Sequence, residues 1–277
     1  MNGAYPVKQR PGWFMTLLTY LFIFILGAVI GSFLNVCIYR IPKQESIAAP
    51  ASHCPQCSTP IKFYDNIPIL SFLLLRGRCK SCNSPISIQY LLVEVINACG
   101  YLLISWKFGL SIESFVYAMF FSALLVISVI DLHHKIIPNV ITLPGIVVGI
   151  LYGSSTFPGG TYESVIGTLL GGGLLFIVAV GYKLISGIDG MGFGDVKLIA
   201  MIGAFLSEPM VILFTIFLSS FIGSIVGIFM MIFMGKGRKD MIPFGPFLSI
   251  SGIITLFFKK EILEWIEWFI ITRSHIP

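Results

Sequence analysis

Residues 13–39 read WFMTLLTYLFIFILGAVIGSFLNVCIY and contain no charged side chain. A transmembrane helix needs about 20 consecutive apolar residues, within a range of ~17–25. The run is too long to be the apolar region of a cleaved signal peptide, and no small-residue cleavage site follows it. We therefore interpret it as a permanent signal anchor and as the first transmembrane helix of the chain.

The rest of the chain is apolar as well. Hydrophobic residues make up 56% of the 277 residues and charged residues 11%, whereas roughly 25% of the residues in an ordinary soluble domain are charged. No soluble core could bury that much apolar surface, so the composition excludes a globular soluble enzyme, a disordered protein and a disulfide-stapled secreted domain. The fold class that we expect is an all-α polytopic membrane protein.

The hydropathy pattern predicts about eight transmembrane helices. The weakest candidate is 196–207, which is short and ends just before Glu208 and Pro209. The eight candidate spans are 13–39, 90–106, 112–130, 139–153, 163–186, 196–207, 209–234 and 243–258. After the last of them, residues 259–271 mix aromatic and acidic side chains, a pattern typical of a helix that lies in the membrane interface.

The distribution of basic residues predicts the orientation. If all eight segments span, 12 of the 18 Lys and Arg residues lie on one side, namely Arg40, Lys43, Lys62, Arg76, Arg78, Lys80, Lys135, Lys183, Lys197, Lys236, Arg238 and Lys239. By the positive-inside rule this side is cytoplasmic, and both termini lie outside. Omitting 196–207 would move the last three of these residues to the exterior, so the charge count favours eight spans.

The long polar segment, residues 40–89, contains two cysteine pairs. They are Cys54-Pro-Gln-Cys57 and Cys79-Lys-Ser-Cys82, with 21 residues between the pairs. Four thiolates from two turns are the ligands of a tetrahedral structural zinc, and a loop of this size needs such a staple. The alternatives are two disulfides or four unrelated thiols. His53 could replace one ligand.

The two remaining cysteines and the paired glycines have simpler interpretations. Cys37 and Cys99 fall within apolar spans and are expected to be small buried residues.

Glycines spaced four residues apart let helix backbones approach closely. Such pairs occur at Gly27 and Gly31, Gly167 and Gly171, and Gly223 and Gly227, and we expect them to serve helix packing.

Two aspartates stand out among only 13 acidic residues. Asp131 ends an apolar run, where the helix macrodipole disfavours a carboxylate, so it is either an ordinary interfacial residue or a functional one. Asp195 follows the alternating glycines 190, 192 and 194 and is either an N-cap or functional. If the two carboxylates meet, they would share one proton and supply a general base and a general acid.

The two histidines that follow Asp131 invite comparison with a metal site. Adjacent residues such as His133 and His134 point in different directions on a helix, so interfacial histidines are the simpler interpretation.

The combined residues resemble bacterial type IV prepilin peptidases, which are GxGD intramembrane aspartyl proteases. The GxGD signature matches Gly-Met-Gly-Phe-Gly-Asp-Val-Lys-Leu at 190–198. The resemblance covers nearly the whole chain. It includes 31–42, both cysteine pairs, 66–71, 76–79, 86–94, 131–138 and 242–247. This ordered set is far more specific than GxGD alone.

The resemblance implies a catalytic pair, Asp131 and Asp195, at the cytoplasmic face of the bacterial inner membrane. It implies prepilin and pseudopilin substrates, whose short leader is cut, and N-methylation of the new N-terminus with S-adenosylmethionine as the methyl donor. Nucleic acid is not an expected partner, whereas the lipid bilayer is.

Gly77 matches a family position tied to methyl transfer, although a plain turn glycine is the alternative. Glu94 is an acidic residue entering a span; methyl-donor binding, substrate recognition and pairing with a loop arginine stay open for it.

The same comparison divides the chain into four parts. They are an N-terminal tail and first helix (1–39), a cytoplasmic zinc-binding loop (40–89), a protease core (90–258) and an interfacial C-terminal helix (259–277).

Two other functional classes remain, an ion transporter with a carboxylate relay and a non-enzymatic assembly scaffold for a pilus or secretion apparatus. The position of both aspartates at the predicted membrane boundary disfavours the transporter.

Overall fold

The structure, a computed structural model, describes residues 13–156, 160–187, 191–234 and 242–274. Within these ranges it is helical, and the β-type pairing consists of two isolated bridges, His53 with Pro60 and Arg78 with Pro85. Some predicted features lie outside the described residues, namely the N-terminal tail, Gly190 and the basic residues Lys236, Arg238 and Lys239.

The described ranges contain ten α-helices. In chain order they are α1 Trp13–Arg40, α2 Leu70–Leu74, α3 Ile88–Phe108, α4 Ile112–His134, α5 Asn139–Thr156, α6 Thr161–Ser186, α7 Phe193–Leu206, α8 Pro209–Met234, α9 Gly245–Phe257 and α10 Lys259–Ser274. Eight of them coincide with the predicted apolar segments. Helix α10 covers the segment predicted to lie in the membrane interface, and its placement there stays a prediction.

The protein is a multi-pass membrane protein, but the prediction of eight spans is not confirmed. Within the described residues, five helices are long and apolar enough to cross a bilayer, namely α1, α3, α4, α6 and α8. Helices α7 and α9 have 14 and 13 residues, which rise only about 20 Å. Because the predicted orientation was derived from eight spans, the cytoplasmic side also stays a prediction.

Helix α7 is short because it lies inside the protein. All nine residues from Leu198 to Leu206 are buried. The helix contacts α5, α6, α8 and α9. At its tightest point, a side chain on Gly203 would overlap the carbonyl oxygen of Gly167 on α6. A helix enclosed by other helices does not have to be long enough to reach both membrane surfaces.

The chain divides into two compact units. The first comprises the described residues up to Val36 together with Ala48–Ala118. In it, Gly27 on α1 lies against Ala98 on α3. The amide of Asn97 also donates a hydrogen bond to the carbonyl oxygen of Gly27 at 2.8 Å. This close approach confirms that the glycine pair of α1 serves helix packing.

The second unit comprises Cys37–Ile47 and the described residues from Met119 onward. Its interior is built around α7, where Phe205 stacks on Phe120 with ring centroids 4.3 Å apart. Gly171 packs against Ile199, and Gly223 against Phe247, so these predicted packing glycines also lie at helix contacts. The four-part division expected from the sequence stays a prediction.

Candidate active site and cysteine cluster

Asp131 lies in the last turn of α4 and is buried. The helix ends just beyond it, where Lys135 has a positive φ of 55° and its N–H donates to the carbonyl of Asp131 at 2.9 Å. The carboxylate accepts a hydrogen bond from the backbone N–H of Gly245, the first residue of α9, at 2.9 Å. The unfavourable end of one helix is thus offset by the favourable N-terminus of another.

Asp195 lies in the first turn of α7 and is also buried. The N-cap of this helix is Gly192, so the alternative in which Asp195 itself is the N-cap is wrong. Its backbone N–H donates to the carbonyl of Gly192 at 3.1 Å, and its carboxylate lies close to the backbone of Gly192. Like Asp131, it lies at the positive end of a helix macrodipole.

The surroundings of the two aspartates share one residue, Ile137. Ile137 links the two sides. A Cβ added to Gly194, the neighbour of Asp195, would lie 2.8 Å from the Cβ of Ile137, and one added to Gly245 would lie 3.3 Å from its Cδ1. The approach of Gly194 to Ile137 requires glycine at position 194.

Two further polar groups lie beside the pair. Lys197 donates a hydrogen bond from Nζ to Oδ1 of Asn139 at 2.9 Å, which ties α7 to the start of α5. The ring of His133 donates from Nδ1 to the carbonyl of Val129, 2.8 Å away on its own helix. Both histidines after Asp131 are exposed. These observations favour interfacial histidines over a metal site.

Sequence reasoning did not identify Gly245 or Ile137 as parts of this site. The signal for the first was present in Ile242-Pro-Phe-Gly-Pro-Phe247, where Gly-Pro marks the beginning of a helix. Its pairing with Asp131 depends on a contact between distant parts of the chain, which no local pattern reveals. Ile137 looks like any apolar residue in the sequence.

The four loop cysteines form a cluster in the first unit. Their Sγ atoms all lie within 4.8 Å of one another, and together they could bind a metal ion. The distance from Cys54 Sγ to Cys82 Sγ is 3.9 Å, close to the ~3.8 Å that tetrahedral Zn–S bonds of about 2.3 Å require. All six cysteines of the chain are free thiols, so the disulfide alternative is not supported.

The two cysteine pairs fold as matching turns, which the sequence analysis did not foresee. The N–H of Cys54 donates to the carbonyl of Thr59, and the N–H of Cys79 donates to that of Ser84, at 3.0 and 2.8 Å. The next residue after each pair, Ser58 and Asn83, has a φ of 56°. Each turn therefore presents two thiols in the same way.

Local hydrogen bonds favour the thiolate form of two of these cysteines. The backbone amides of Cys57 and Gln56 lower the pKa of Cys54 to about 6, and the hydroxyl of Ser84 lowers the pKa of Cys82. A deprotonated thiol is the form that ligates a metal. His53 lies outside the cluster, with its ring directed at the carbonyl of Ala51.

The other two cysteines differ from each other. Cys37 is buried as expected, but Cys99 is exposed on α3, and the prediction that it is buried is wrong. An apolar sequence indicates that a helix lies in an apolar medium, but it does not distinguish the protein interior from lipid.

The structure gives both tentative methyl-transfer residues local partners. Glu94 is buried on α3, and its carboxylate accepts a hydrogen bond from the backbone N–H of Ile69 at 2.7 Å. Gly77 has a φ of 66°, and an added Cβ would lie 3.0 Å from the ring of Phe72. Pairing of Glu94 with a loop backbone amide was not among the roles that we considered.

Comparison with known families identifies matches to two family models. Residues 25–108 match the Bacterial Peptidase A24 N-terminal domain, and residues 118–228 match the Type IV leader peptidase family. The two matches together include the cysteine cluster and both aspartates.

Curated proteins align with nearly the whole chain. A prepilin leader peptidase/N-methyltransferase of Pseudomonas putida is 34% identical over 92% of this chain and 94% of its own length. Proteins with the same description from Stutzerimonas stutzeri and Neisseria gonorrhoeae are 35% and 34% identical, over 86% and 89% of this chain and 90% and 93% of their own. No solved structure matches significantly.

Proposed function

This chain belongs to the type IV leader peptidase family, and from that membership we propose that it removes the leader peptide of type IV prepilins and pseudopilins and N-methylates the new N-terminal residue. The support is that relatives described as having both activities align with the chain from near one end to the other. A short shared motif, unlike this full-length alignment, would support only one of the two activities.

The proposal of a proteolytic step rests on two buried carboxylates, Asp131 and Asp195, whose neighbours Gly245 and Gly194 both lie against Ile137. Two like charges in a buried site share one proton, so one group is ionised while the other is protonated. The ionised group can take a proton from water as the water attacks the scissile carbonyl. The protonated group can then donate its proton to the departing amine.

Backbone amides stabilise the ionised form of either carboxylate. The N–H of Gly245 donates to the carboxylate of Asp131, and the backbone amides of Gly192 and Asp195 act on the carboxylate of Asp195. Either aspartate can therefore be the ionised member of the pair. Asp195 lies at the N-terminus of α7 and Asp131 lies against that of α9, and these positive helix ends would also stabilise the negative charge that develops on the attacked carbonyl oxygen.

The cysteine cluster would hold a structural zinc ion through Cys54, Cys57, Cys79 and Cys82. The donor set fits this metal, because four thiols in two turns match its preferred tetrahedral sulfur coordination. In this role the metal supplies no chemistry and holds the two turns of the loop together. The loop carrying it is the part that the resemblance associates with methyl transfer.

S-adenosylmethionine would supply the methyl group for the second step. Gly77 and Glu94 remain our candidates for that step, although each already makes the local contact described above. The reaction requires the new N-terminal amine to be unprotonated when it attacks the methyl group, so a proton must leave it first.

We place the enzyme in the bacterial inner membrane with the aspartate pair at the cytoplasmic face. The support is the predicted excess of basic residues on that side and the position of the pair at the ends of α4 and α7. Prepilins and pseudopilins, which carry a short basic leader before an apolar helix in this family, would approach from the same side.

The test is the intact mass of a prepilin co-expressed with the wild-type enzyme or with Asp195→Asn. We expect the wild type to remove the leader and add one methyl group. The variant should leave the precursor whole, because general acid–base groups contribute about 10²–10⁴-fold to the rate. Glu264→Gln, which alters an exposed carboxylate of α10, is the matched control. Processing by Asp195→Asn at the wild-type rate would contradict the assignment and favour a scaffold.

A further inference from the structure

Residues 63–74, which we call the apolar loop segment, expose several large apolar side chains. Phe63 is 86% exposed and Leu74 is 73% exposed. The other exposed large hydrophobic residues of the segment are Tyr64, Ile67, Leu70 and Leu73. Within the segment, Asp65 is paired with Lys80 at 2.9 Å. A surface with this many exposed large apolar side chains marks a site of contact with a protein or a membrane.

The position of the segment along the length of α3 indicates whether it contacts a protein or a membrane. The N–H of Ile69 donates to the carboxylate of Glu94, which lies six residues after Ile88, the first residue of α3. Six residues of helix rise about 9 Å. The whole of α3 is about 30 Å long, as is the hydrocarbon core of a bilayer. Ile69 therefore lies alongside the membrane span and not above its end.

The backbone of the segment is prepared for a medium without water. The N–H of Ile67 donates to the hydroxyl of Ser71 at 2.9 Å, and the N–H of Ser71 donates back to the carbonyl of Ile67 at 2.9 Å. Pro68 has no N–H. Backbone amides also donate to carbonyls within the segment from Leu70 and Leu73, at 2.6 and 3.1 Å. These amides between Ile67 and Leu73 have partners within the protein, as lipid contact demands of a backbone.

Glu94 holds a backbone turn that would otherwise be unfavourable. Ile69 has a φ of 63°, and a β-branched residue rarely adopts a positive φ because of steric strain. This residue directly precedes α2, so its conformation sets the direction in which Leu73 and Leu74 project. The hydrogen bond from the N–H of Ile69 to the carboxyl group of Glu94 offsets part of that strain.

Basic residues flank the apolar surface on both sides. Lys62 precedes it, and Arg76 and Arg78 follow it, all with exposed side chains. An apolar face bordered by cations matches a leaflet whose acyl chains lie beneath anionic headgroups. A soluble protein partner would not explain the depth of the surface beside α3, and the basic leader of a prepilin would be repelled by the flanking cations.

We propose that the apolar loop segment inserts into the anionic lipid leaflet beside α3 and that Glu94 anchors it there through the N–H of Ile69. Glu94 is then a positioning residue that fixes where the cysteine-bearing loop meets the membrane. The occupant of this surface is lipid, at the boundary between headgroups and acyl chains. The inference does not depend on the proposed catalytic activity.

The full-length protein in nanodiscs of phosphatidylethanolamine and phosphatidylglycerol tests this inference. A fraction of the phospholipid carries a diazirine near the carbonyl end of one acyl chain, and cross-links are mapped by mass spectrometry. We expect labelling of residues 63–74 at a level comparable to that of α1, and none of the largely exposed cysteine turn 55–60. Labelling of α1 without labelling of 63–74 would overturn the proposal and leave a protein as the occupant.

Two substitutions at Glu94 test the anchor. Glu94→Gln keeps a carbonyl oxygen that can accept the N–H of Ile69, whereas Glu94→Ala removes the acceptor. We expect Glu94→Ala to lower the labelling of 63–74 at least threefold and Glu94→Gln to retain it, with the labelling of α1 unchanged in both. Labelling of 63–74 at the wild-type level in Glu94→Ala would show that lipid contact does not depend on this hydrogen bond. That result would overturn the anchoring role.

Discussion

The carboxylate of Asp131 accepts a hydrogen bond from the backbone N–H of Gly245, 114 residues further along the chain, at 2.9 Å. A Cβ on residue 245 would lie 2.7 Å from the same carboxylate oxygen. The donor can therefore reach the acceptor only because residue 245 has no side chain. This pairing places the end of α4 against the beginning of α9.

The first prediction concerns this pairing. In Gly245→Ala, the added methyl group must displace the carboxylate of Asp131, and a displacement of about 1 Å at a reacting group can cost about 10²-fold in rate. We expect a loss of this size in the rate of leader removal from a purified prepilin. Gly181→Ala on α6 is the control, because an added Cβ there meets nothing within 4 Å. Equal rates for the two variants would refute the steric argument.

The second prediction concerns Gly194, on the other side of the site. In Gly194→Ala the new Cβ would lie 2.8 Å from the Cβ of Ile137, so α7 and the segment after α4 must separate. We expect at least a tenfold loss of cleavage, measured by the same assay. Ile137→Ala should not rescue the loss, since alanine retains the Cβ that clashes. Full rescue by that second substitution would show that the flexible end of Ile137 is the obstacle.

The third prediction concerns stability. Gly203→Ala would force a methyl group against the carbonyl oxygen of Gly167, at the tightest contact between α6 and α7. Overpacking of this kind costs about 1–3 kcal/mol, so we expect a lower midpoint of thermal unfolding in detergent. Gly173→Ala, where an added Cβ is free of contacts within 4 Å, should match the wild type or gain up to about 1 kcal/mol. A wild-type midpoint for Gly203→Ala would contradict this packing.

The fourth prediction concerns the cysteine cluster. Purified wild-type protein should contain one zinc ion per chain, and Cys54→Ser or Cys79→Ser should lose it, because each removes one of four ligands. Methylation of a prepilin should fall more than cleavage in both variants. Cys99→Ser, which changes an exposed thiol outside the cluster, is the control. Wild-type protein without zinc in elemental analysis would end this interpretation.

The sequence predicted where the helices lie because long apolar runs leave a chain in a membrane few alternatives. Helices α1, α6 and α8 begin and end within a few residues of the predicted boundaries. Whether a helix reaches both membrane surfaces is a different question. Helix α7 is apolar because it is enclosed by other helices. The sequence of a helix inside the protein is as apolar as that of a helix that contacts lipid.

The candidate site was predictable to different degrees. Asp131 and Asp195 could be found because a buried carboxylate is costly and therefore rare in such a chain. Gly245 and Ile137 could not, since their roles arise from contacts between residues far apart in sequence. The hydrogen bond between Ile69 and Glu94 was missed for the same reason, with the added difficulty that a backbone N–H is present at every residue but proline.

The matching cysteine turns have a consequence for how the protein is made. Each turn closes its own hydrogen bonds within a few residues, and the last of the four thiols is Cys82. Asp195 lies 113 residues after Cys82, so at roughly 5–20 residues per second it is synthesised about 6–20 s later. The cluster can thus form before either aspartate has been synthesised. Metal capture can precede the insertion of every helix that contributes an aspartate.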